Sequence, residues 1–334
     1  MKLLLTGGAG FMGSNMVRYL LNKRQDIELL NVDKLTYAGN LDNLKDVTGH
    51  PRYSFVKADI ADRNAMERVF KKFRPEAVIN YAAETHVDRS IARPFDFAVT
   101  DVIGTLTLLE LSRLAGVTKY VQISTDEVFG STREGEWDES APFDPSSPYS
   151  ASKAGGDHLV RAYWKTYGFP GVVTHSCNFF GPYQYPEKII PLFITNLLEG
   201  KKVPVYGDGK QTREWIFVPD HCAAIETILD HGAPGESYNI GTGHRITNIE
   251  LTRKILALLD ATDDSIEHVK DRPGHDLRYA LDATKLKDTL GWKPSIPFDD
   301  GLRITVRWYR EHEAWWKKIK SGEYRAYYQE QYQG

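Results

Sequence analysis

Residues 3–13 read Leu-Leu-Leu-Thr-Gly-Gly-Ala-Gly-Phe-Met-Gly, and Ser14 to Asn22 follows with apolar residues recurring at three and four. A short apolar run that breaks into glycines and then into helical spacing is a strand turning into a helix. Two glycine registers fit, Gly8-x-Gly10-x-x-Gly13 and Gly7-x-x-Gly10-x-x-Gly13. Without side chains there, the turn can close and backbone N–H groups can approach a pyrophosphate, whose charge the positive end of the helix favours. Gly7, Gly10, Phe11, Met12 and Gly13 are therefore candidate dinucleotide contacts.

Outward from this turn the same alternation continues. Lys2 to Thr6, Glu28 to Asp33, Tyr53 to Asp59, Ala77 to Asn80 and Lys119 to Ser124 read as strands. Between them, Asn64 to Phe73 and Val102 to Ala115 carry helical spacing. Strands alternating with amphipathic helices imply a parallel sheet, and the right-handed crossover rule makes it doubly wound. Asp33 ends the second strand 20 residues after Gly13, where a carboxylate can accept hydrogen bonds from an adenosine ribose and would repel a 2'-phosphate, favouring NAD over NADP. Asp59 and Ile60 close the third strand and would flank the adenine. Ala82 and Ala83, small after Tyr81, would let the chain pass under the cofactor.

The fold class is thus α/β: a doubly wound parallel sheet of the NAD-binding Rossmann kind over residues 1–180. A smaller C-terminal α/β substrate lobe covers 181–320, with the chain crossing between the two, and 321–334 form a tail. In the lobe, Pro- and Gly-punctuated pieces alternate with helices near Pro191 to Leu198 and Asn248 to Leu259. Gly301 to Lys318 reads as one helix whose Trp308, Trp315 and Trp316 pack it onto the body.

The chain has 334 residues, of which 41% are hydrophobic and 26% charged, enough to close a large core and stay in solution. Its 42 basic and 45 acidic residues leave a formal charge of −3, which argues against a whole-surface field for nucleic acid or anionic membrane. Cys177 and Cys222 make no disulfide framework or metal pattern. No stretch reaches the roughly 20 apolar residues of a membrane span, and the first apolar run is too short for a signal peptide. A cytoplasmic protein is expected.

Tyr149-Ser150-Ala151-Ser152-Lys153 opens a long helical pattern, with Tyr149 and Lys153 four apart on one face. A tyrosine ordinarily ionises near ~10; an ammonium beside it and a cationic nicotinamide ring favour the phenolate, a base for near-neutral pH. The fifth strand runs out in Ser124-Thr125-Asp126-Glu127 at the carboxyl edge of the sheet, where open α/β folds collect reacting groups. Thr125 would hydrogen-bond the hydroxyl that Tyr149 deprotonates. Two carboxyls in a partly dry site push their proton affinities apart, so that one of Asp126 and Glu127 can act as acid and the other as base.

These motifs resemble the extended short-chain dehydrogenase/reductase family, and within it the nucleotide-sugar 4,6-dehydratases, over nearly the whole length. The resemblance rests on Thr125-Asp126-Glu127-Val128-Phe129-Gly130, the Tyr149 and Lys153 pair, and Thr85-His86-Val87-Asp88-Arg89-Ser90. Further on it includes Gly181-Pro182-Tyr183-Gln184-Tyr185-Pro186-Glu187-Lys188, Tyr206-Gly207-Asp208-Gly209 and Asp271-Arg272-Pro273-Gly274-His275-Asp276. It implies an NAD-dependent hydro-lyase acting on a nucleotide hexose, dTDP-glucose first, with UDP-N-acetylglucosamine or UDP-glucose close behind. Tyr149 would act on the sugar 4-hydroxyl, Glu127 on the C5 proton and Asp126 on the departing 6-hydroxyl.

For the substrate, His86, Asn178, Lys188, Tyr206, Arg213, Asn248, Arg272 and His275 are the candidates. Arg213 and Arg272 would pair with the diphosphate, Asn178 and Asn248 would hydrogen-bond it, and Tyr206 offers a ring to the pyrimidine. No metal is expected, since His86, His175 and His275 fit no ligand spacing. The resemblance implies a homodimer or higher homo-oligomer through Val102 to Ala115 and the helix after Tyr149. The chain departs from the family's habit at Phe129, which stands for tyrosine with little consequence, and at the strand end Ser176-Cys177-Asn178-Phe179-Phe180-Gly181-Pro182, where two asparagines and a tyrosine are usual before the Gly-Pro, with His175 for arginine and Asp101 for asparagine. Lying near sugar and diphosphate, these latter positions would leave the chemistry intact and the substrate less determined. A sugar 4-epimerase would share the glycine turn, Asp33, Tyr149 and Lys153 but has no need of Asp126 and Glu127. A catalytically silent NAD-binding regulator could dispense with Tyr149 or Glu127.

Overall fold

The structure, a computed structural model, describes residues 1–271 and 276–322. Its strands are β1 (Lys2–Thr6), β2 (Glu28–Asp33), β3 (Tyr53–Lys57), β4 (Ala77–Asn80), β5 (Lys119–Thr125), β6 (Gly171–Ser176), β7 (Asn178–Phe180), β8 (Val203–Tyr206), β9 (Thr212–Phe217), β10 (Ser237–Ile240), β11 (Arg245–Thr247) and β12 (Ile266–Val269). Seven of them form one sheet in the order β10-β6-β5-β4-β1-β2-β3, every neighbouring pair parallel. This is the α/β doubly wound sheet, and its strand order reverses between β1 and β4. There the connections leave for opposite faces and open a crevice at the carboxyl ends.

The central strands are apolar on both sides because both sides are covered. Leu3 and Leu5 of β1 pack with Met16, Val17 and Leu20 of helix Phe11–Lys23 and with Ile225 and Ile228 of helix Val218–His231. Leu4 points the other way, into a core with Met66, Val69 and Phe70 of helix Arg63–Phe73 and Leu108 and Leu109 of helix Thr105–Ala115. Alternating residues of a single strand thus serve two layers.

A second core gathers Phe180, Ile190, Phe193, Trp215, Phe217, Leu251, Val306 and Trp316. Around it lie a small sheet, β11-β9-β7, and the pair β12-β8. The segment after β9 returns to the main body: helix Val218–His231 packs on helix Phe11–Lys23, and β10 extends the large sheet beside β6.

Several boundaries differ from the sequence expectation. The third strand ends at Lys57, so Asp59 and Ile60 stand in the loop beyond it. The first helix begins at Phe11 rather than Ser14, directly on the glycine turn. The stretch expected to start a helix at Val102 is π-helical over Ala98–Gly104 and becomes α-helical only at Thr105. Gly301 to Lys318 is not one helix but two, Phe298–Glu311 and Glu313–Lys320. At the break the His312 ring stacks on Trp308, with centroids 4.3 Å apart. The bend drives Trp316 wholly into the core, where its indole N–H donates to the Tyr309 carbonyl at 2.8 Å.

Candidate active site

Gly7 sits in the left-handed region at φ 70°, and a Cβ there would lie 2.7 Å from the Ala82 nitrogen. Gly13 is pressed against the same loop: its Cβ would stand 2.6 Å from the Gly8 Cα. Gly8 packs on Asn31, whose Oδ1 accepts its N–H at 3.0 Å. Gly10 is different, because a Cβ there would meet nothing of the chain closer than 3.4 Å, and the residue lines the crevice. Gly7, Gly10 and Gly13 line the crevice and Gly8 does not; Gly7, Gly8 and Gly13 are each held to glycine by neighbouring chain atoms, whereas at Gly10 the chain leaves room. No side chain caps helix Phe11–Lys23 and no acidic residue lies in its first turn, leaving its N–H groups to an anion. These features fit a dinucleotide pyrophosphate. Gly10→Ala should leave the melting temperature within a degree or two of wild type yet weaken NAD binding by at least about tenfold in calorimetric titration, about 1.4 kcal/mol. Gly13→Ala should lower the melting temperature itself.

Asp33 is buried, and its two oxygens accept the N–H groups of Ala9 at 2.9 Å and Leu35 at 2.7 Å. Each oxygen keeps a lone pair for a ribose hydroxyl. Burial raises its carboxyl above the ordinary aspartate range. Asp59 is paired with Lys34 at 2.6 Å and accepts the Ala61 N–H at 2.9 Å. With Ile60, Ala82 and Ala83 these residues line the same cavity as Gly7, Gly10, Phe11, Met12 and Gly13, and the cavity continues to Thr125, Asp126, Glu127, Tyr149 and Lys153.

The reacting edge is made by β5 and the turn after it. The strand ends at Thr125, one residue later than expected, and a single 3-10 turn over Asp126–Phe129 presents both carboxyls. Thr125 Oγ1 accepts the Glu127 N–H at 3.3 Å, bonds with Asp126 Oδ1 at 3.2 Å and reaches the Tyr149 phenol. Ser147 caps the long helix Pro148–Tyr167 and puts Tyr149 and Lys153 on its first two turns. The Lys153 ammonium donates to the Ile123 carbonyl at 2.6 Å, tying helix to strand.

Electrostatically the two carboxyl positions are not alike. Asp126 is held well above the usual carboxylate range, chiefly by burial and then by Glu127 and Glu214, which favours its protonated, acid form. The Tyr149 phenol is also raised, by burial first and then by Glu127 and Asp101. Of the two influences expected to favour the phenolate, the ammonium and a cationic nicotinamide ring, the ring is the one that would act against this rise when NAD is bound.

A second cavity adjoins the first and shares Glu127, Asn178 and Lys188 with it. His86, Tyr206, Arg213 and Asn248 also line it. Arg213 is buried, its guanidinium 4.6 Å above the Tyr279 ring and donating to the Asp276 carbonyl at 2.9 Å. Lys188 donates to the Thr85 carbonyl at 2.8 Å. Arg272 and His275 lie outside the described residues. Among the described residues no group of three His, Cys, Asp or Glu comes together to hold a metal ion.

Some site residues escaped the sequence. Tyr37 donates to Glu187 at 3.0 Å beneath the Arg89 guanidinium, 3.7 Å from its ring, joining the loop after β2 to the Tyr185-Pro186-Glu187-Lys188 segment at the cavity wall. Nothing local in the sequence around Tyr37 signals this. Glu84, also lining the crevice, is pushed up to about 7 by burial and by the nearby Asp101. His175 and Asp101, expected to lie near the sugar and diphosphate, are both buried and line neither cavity. His175, on β6, is wholly buried with its ring against Phe129 and Phe143, 3.3 Å from Asp157, and Asp101 lies buried under helix Pro148–Tyr167. Substrate identity cannot turn on direct contact with either.

The chain matches, over residues 4–305, the model of the family described as GDP-mannose 4,6 dehydratase. A relative from Neisseria meningitidis serogroup B, named dTDP-glucose 4,6-dehydratase, is 48% identical across 97% of this chain and 97% of its own. DesIV, the dTDP-glucose 4,6-dehydratase of Streptomyces venezuelae solved with NAD bound, has a TM-score of 0.93 and 50% identity, covering 96% of this chain and 100% of its own. A UDP-glucose 4-epimerase from Thermotoga maritima, solved with UDP-glucose, has a TM-score of 0.87 at 32% identity, covering 93% of this chain and 99% of its own.

Proposed function

Because the chain belongs to the extended short-chain dehydrogenase/reductase family, in the branch that the GDP-mannose 4,6 dehydratase model describes, we propose that it dehydrates dTDP-glucose to dTDP-4-keto-6-deoxyglucose. UDP-glucose and UDP-N-acetylglucosamine are the competing substrates. The observation that carries this is Asp126, a buried carboxyl with raised proton affinity, beside Glu127 in the cavity that also holds Tyr149.

NAD is the cofactor, with Gly7, Gly10, Phe11, Met12 and Gly13 at its pyrophosphate, Asp33 at its ribose, Asp59 and Ile60 beside the adenine, and Ala82, Ala83, Tyr149 and Lys153 toward the nicotinamide. When bound it accepts the hydride that leaves sugar C4 and returns it at C6, so none is consumed. Tyr149 takes the proton of the 4-hydroxyl while Thr125 hydrogen-bonds the same oxygen. The C4 ketone acidifies the hydrogen on C5. Glu127 removes that proton, and Asp126 gives its own to the 6-hydroxyl, which departs as water; as hydride returns to C6, Glu127 gives its proton back to C5, and the proton taken up by Tyr149 replaces the one Asp126 lost. Arg213, Asn178 and Asn248 hold the diphosphate, Tyr206 lies against the pyrimidine, and His86 and Lys188 complete the pocket.

The likeness to a UDP-glucose 4-epimerase favours a second reading, sugar 4-epimerisation, which needs no acid beside C6. Incubation of the purified protein with each of the three nucleotide sugars separates the two. Mass spectrometry should show loss of one water, fastest from dTDP-glucose; an unchanged mass with inverted C4 would establish the epimerase instead.

The protein assembles, on this proposal, as a homodimer in the cytoplasm, where its two buried free thiols, Cys177 and Cys222, stay reduced. Ile91, Phe95, Val99, Ile103 and Leu106 form an exposed apolar stripe, with Phe95 83% exposed. The stripe starts earlier than Val102. A second copy covering it should give twice the chain mass on sedimentation, and Phe95→Glu should halve that mass. No helix among the described residues is long and apolar enough to cross a membrane.

A further inference from the structure

Beneath the helix that opens on Tyr149, a buried carboxyl and a hydroxyl have one proton too few. Asp101 Oδ2 lies 2.7 Å from Ser152 Oγ, and Ser152 Oγ lies 2.8 Å from the Tyr149 carbonyl oxygen. A hydroxyl carries a single proton and can donate it fully to only one of those acceptors. Both contacts become complete hydrogen bonds when Asp101 carries its own proton, donating it to Ser152, which then donates to Tyr149.

The charges around this point are unbalanced. From the helix Pro148–Tyr167, Lys153, Tyr149 and Asp157 face Asp101; from the loop after β4, the Glu84 carboxyl and backbone do. Asp126 and Glu127 face Tyr149 from the turn after β5. Asp157, one turn beyond Lys153, accepts the Ser124 hydroxyl at 2.6 Å and faces His175. Lys153, itself buried, draws on Asp101 and lines the same cavity as Tyr149, four residues before it on the helix. One ammonium in a dry site cannot balance a carboxylate and a phenolate together.

We propose that Asp101 and Tyr149 share one negative charge across Lys153, so that Asp101 is a positioning residue whose protonation decides when Tyr149 is ionised. The inference rests on Tyr149 being the base. The two forms, Asp101 protonated with Tyr149 phenolate and Asp101 ionised with Tyr149 phenol, carry equal charge and differ only in where the proton resides. The first is the one that can accept the proton of the sugar 4-hydroxyl. Burial pushes the Asp101 carboxyl up to about 6 against the lowering pull of Lys153 and raises the Tyr149 phenol as well, so the exchange needs the cationic ring of bound NAD to bring the phenol down.

Asp101→Asn removes one of the two claimants while keeping the side chain's size. On the NAD-loaded enzyme, the Tyr149 midpoint, read from ultraviolet phenolate titration against a Tyr149→Phe baseline, should fall by about one pH unit or more. The acidic limb of the first half-reaction should move down by the same amount. A slower enzyme with both midpoints unmoved would overturn the proposal and leave Asp101 a packing residue. If Asp101→Asn does not fold, carboxyl NMR on carbon-13-aspartate protein decides. The Asp101 midpoint should shift to lower pH in Tyr149→Phe, and an unmoved midpoint contradicts charge sharing. Full activity of Tyr149→Phe would instead sink the premise that Tyr149 is the base.

Discussion

Tyr149→Phe should abolish the first half of the reaction, lowering the rate at which bound nicotinamide is reduced by sugar about a thousandfold, within the 10²–10⁴ range expected for losing a positioned general base. The fold should survive: the Tyr149 ring meets Phe97 edge to face at 6.2 Å, a contact phenylalanine keeps. What disappears is the oxygen that Thr125 reaches and that removes the 4-hydroxyl proton. Stopped-flow absorbance of reduced nicotinamide after mixing with dTDP-glucose measures this directly. Reduction at the wild-type rate would reassign the base.

Glu127→Gln should produce the opposite spectral result with a similar loss of product. Oxidation at C4 needs Tyr149, Thr125 and Lys153, all unchanged, so nicotinamide should still be reduced. Removal of the C5 proton fails, and turnover should drop by about 10²–10⁴ while the reduced cofactor accumulates on the enzyme. The amide keeps the side chain's length, and the Glu127 N–H still bonds Thr125, so the 3-10 turn should hold. The proton affinity of Asp126 stays raised in the variant, because burial is its first cause and the neighbouring negative charge only the second. A variant that turns over normally with no spectral change would show that the C5 proton leaves to some other group.

The parts of this site legible in the sequence are those whose constraint is local. The glycine turn is one, because strand, turn and helix adjoin within residues 2–23. Which glycine serves the ligand was not legible, since Gly8 is excluded from the crevice only by Asn31, a residue of the neighbouring strand. The spacing of Tyr149 and Lys153 was legible as one helix face; that Lys153 spends a hydrogen bond on Ile123 was not. The same holds for Ala98–Gly104, where widened turns carry the Asp101 backbone close against Gly156, a contact between elements far apart in the chain. The Tyr37, Arg89 and Glu187 cluster and the burial of His175 likewise depend on what the fold brings across the crevice. The His312 break follows from two adjacent tryptophans needing different partners: Trp315 meets Tyr183 and bonds Asn43, while Trp316 enters the core.

The central claim is that one enzyme-bound cofactor takes a hydride from one carbon of the hexose and puts it back on another. It is tested most directly with dTDP-glucose carrying deuterium at C4, mixed with unlabelled substrate, and mass spectrometry of the product. The label should appear in the new C6 methyl group of the same molecule that carried it, with none in solvent. Product whose methyl group holds no deuterium, formed at the normal rate, would contradict the account.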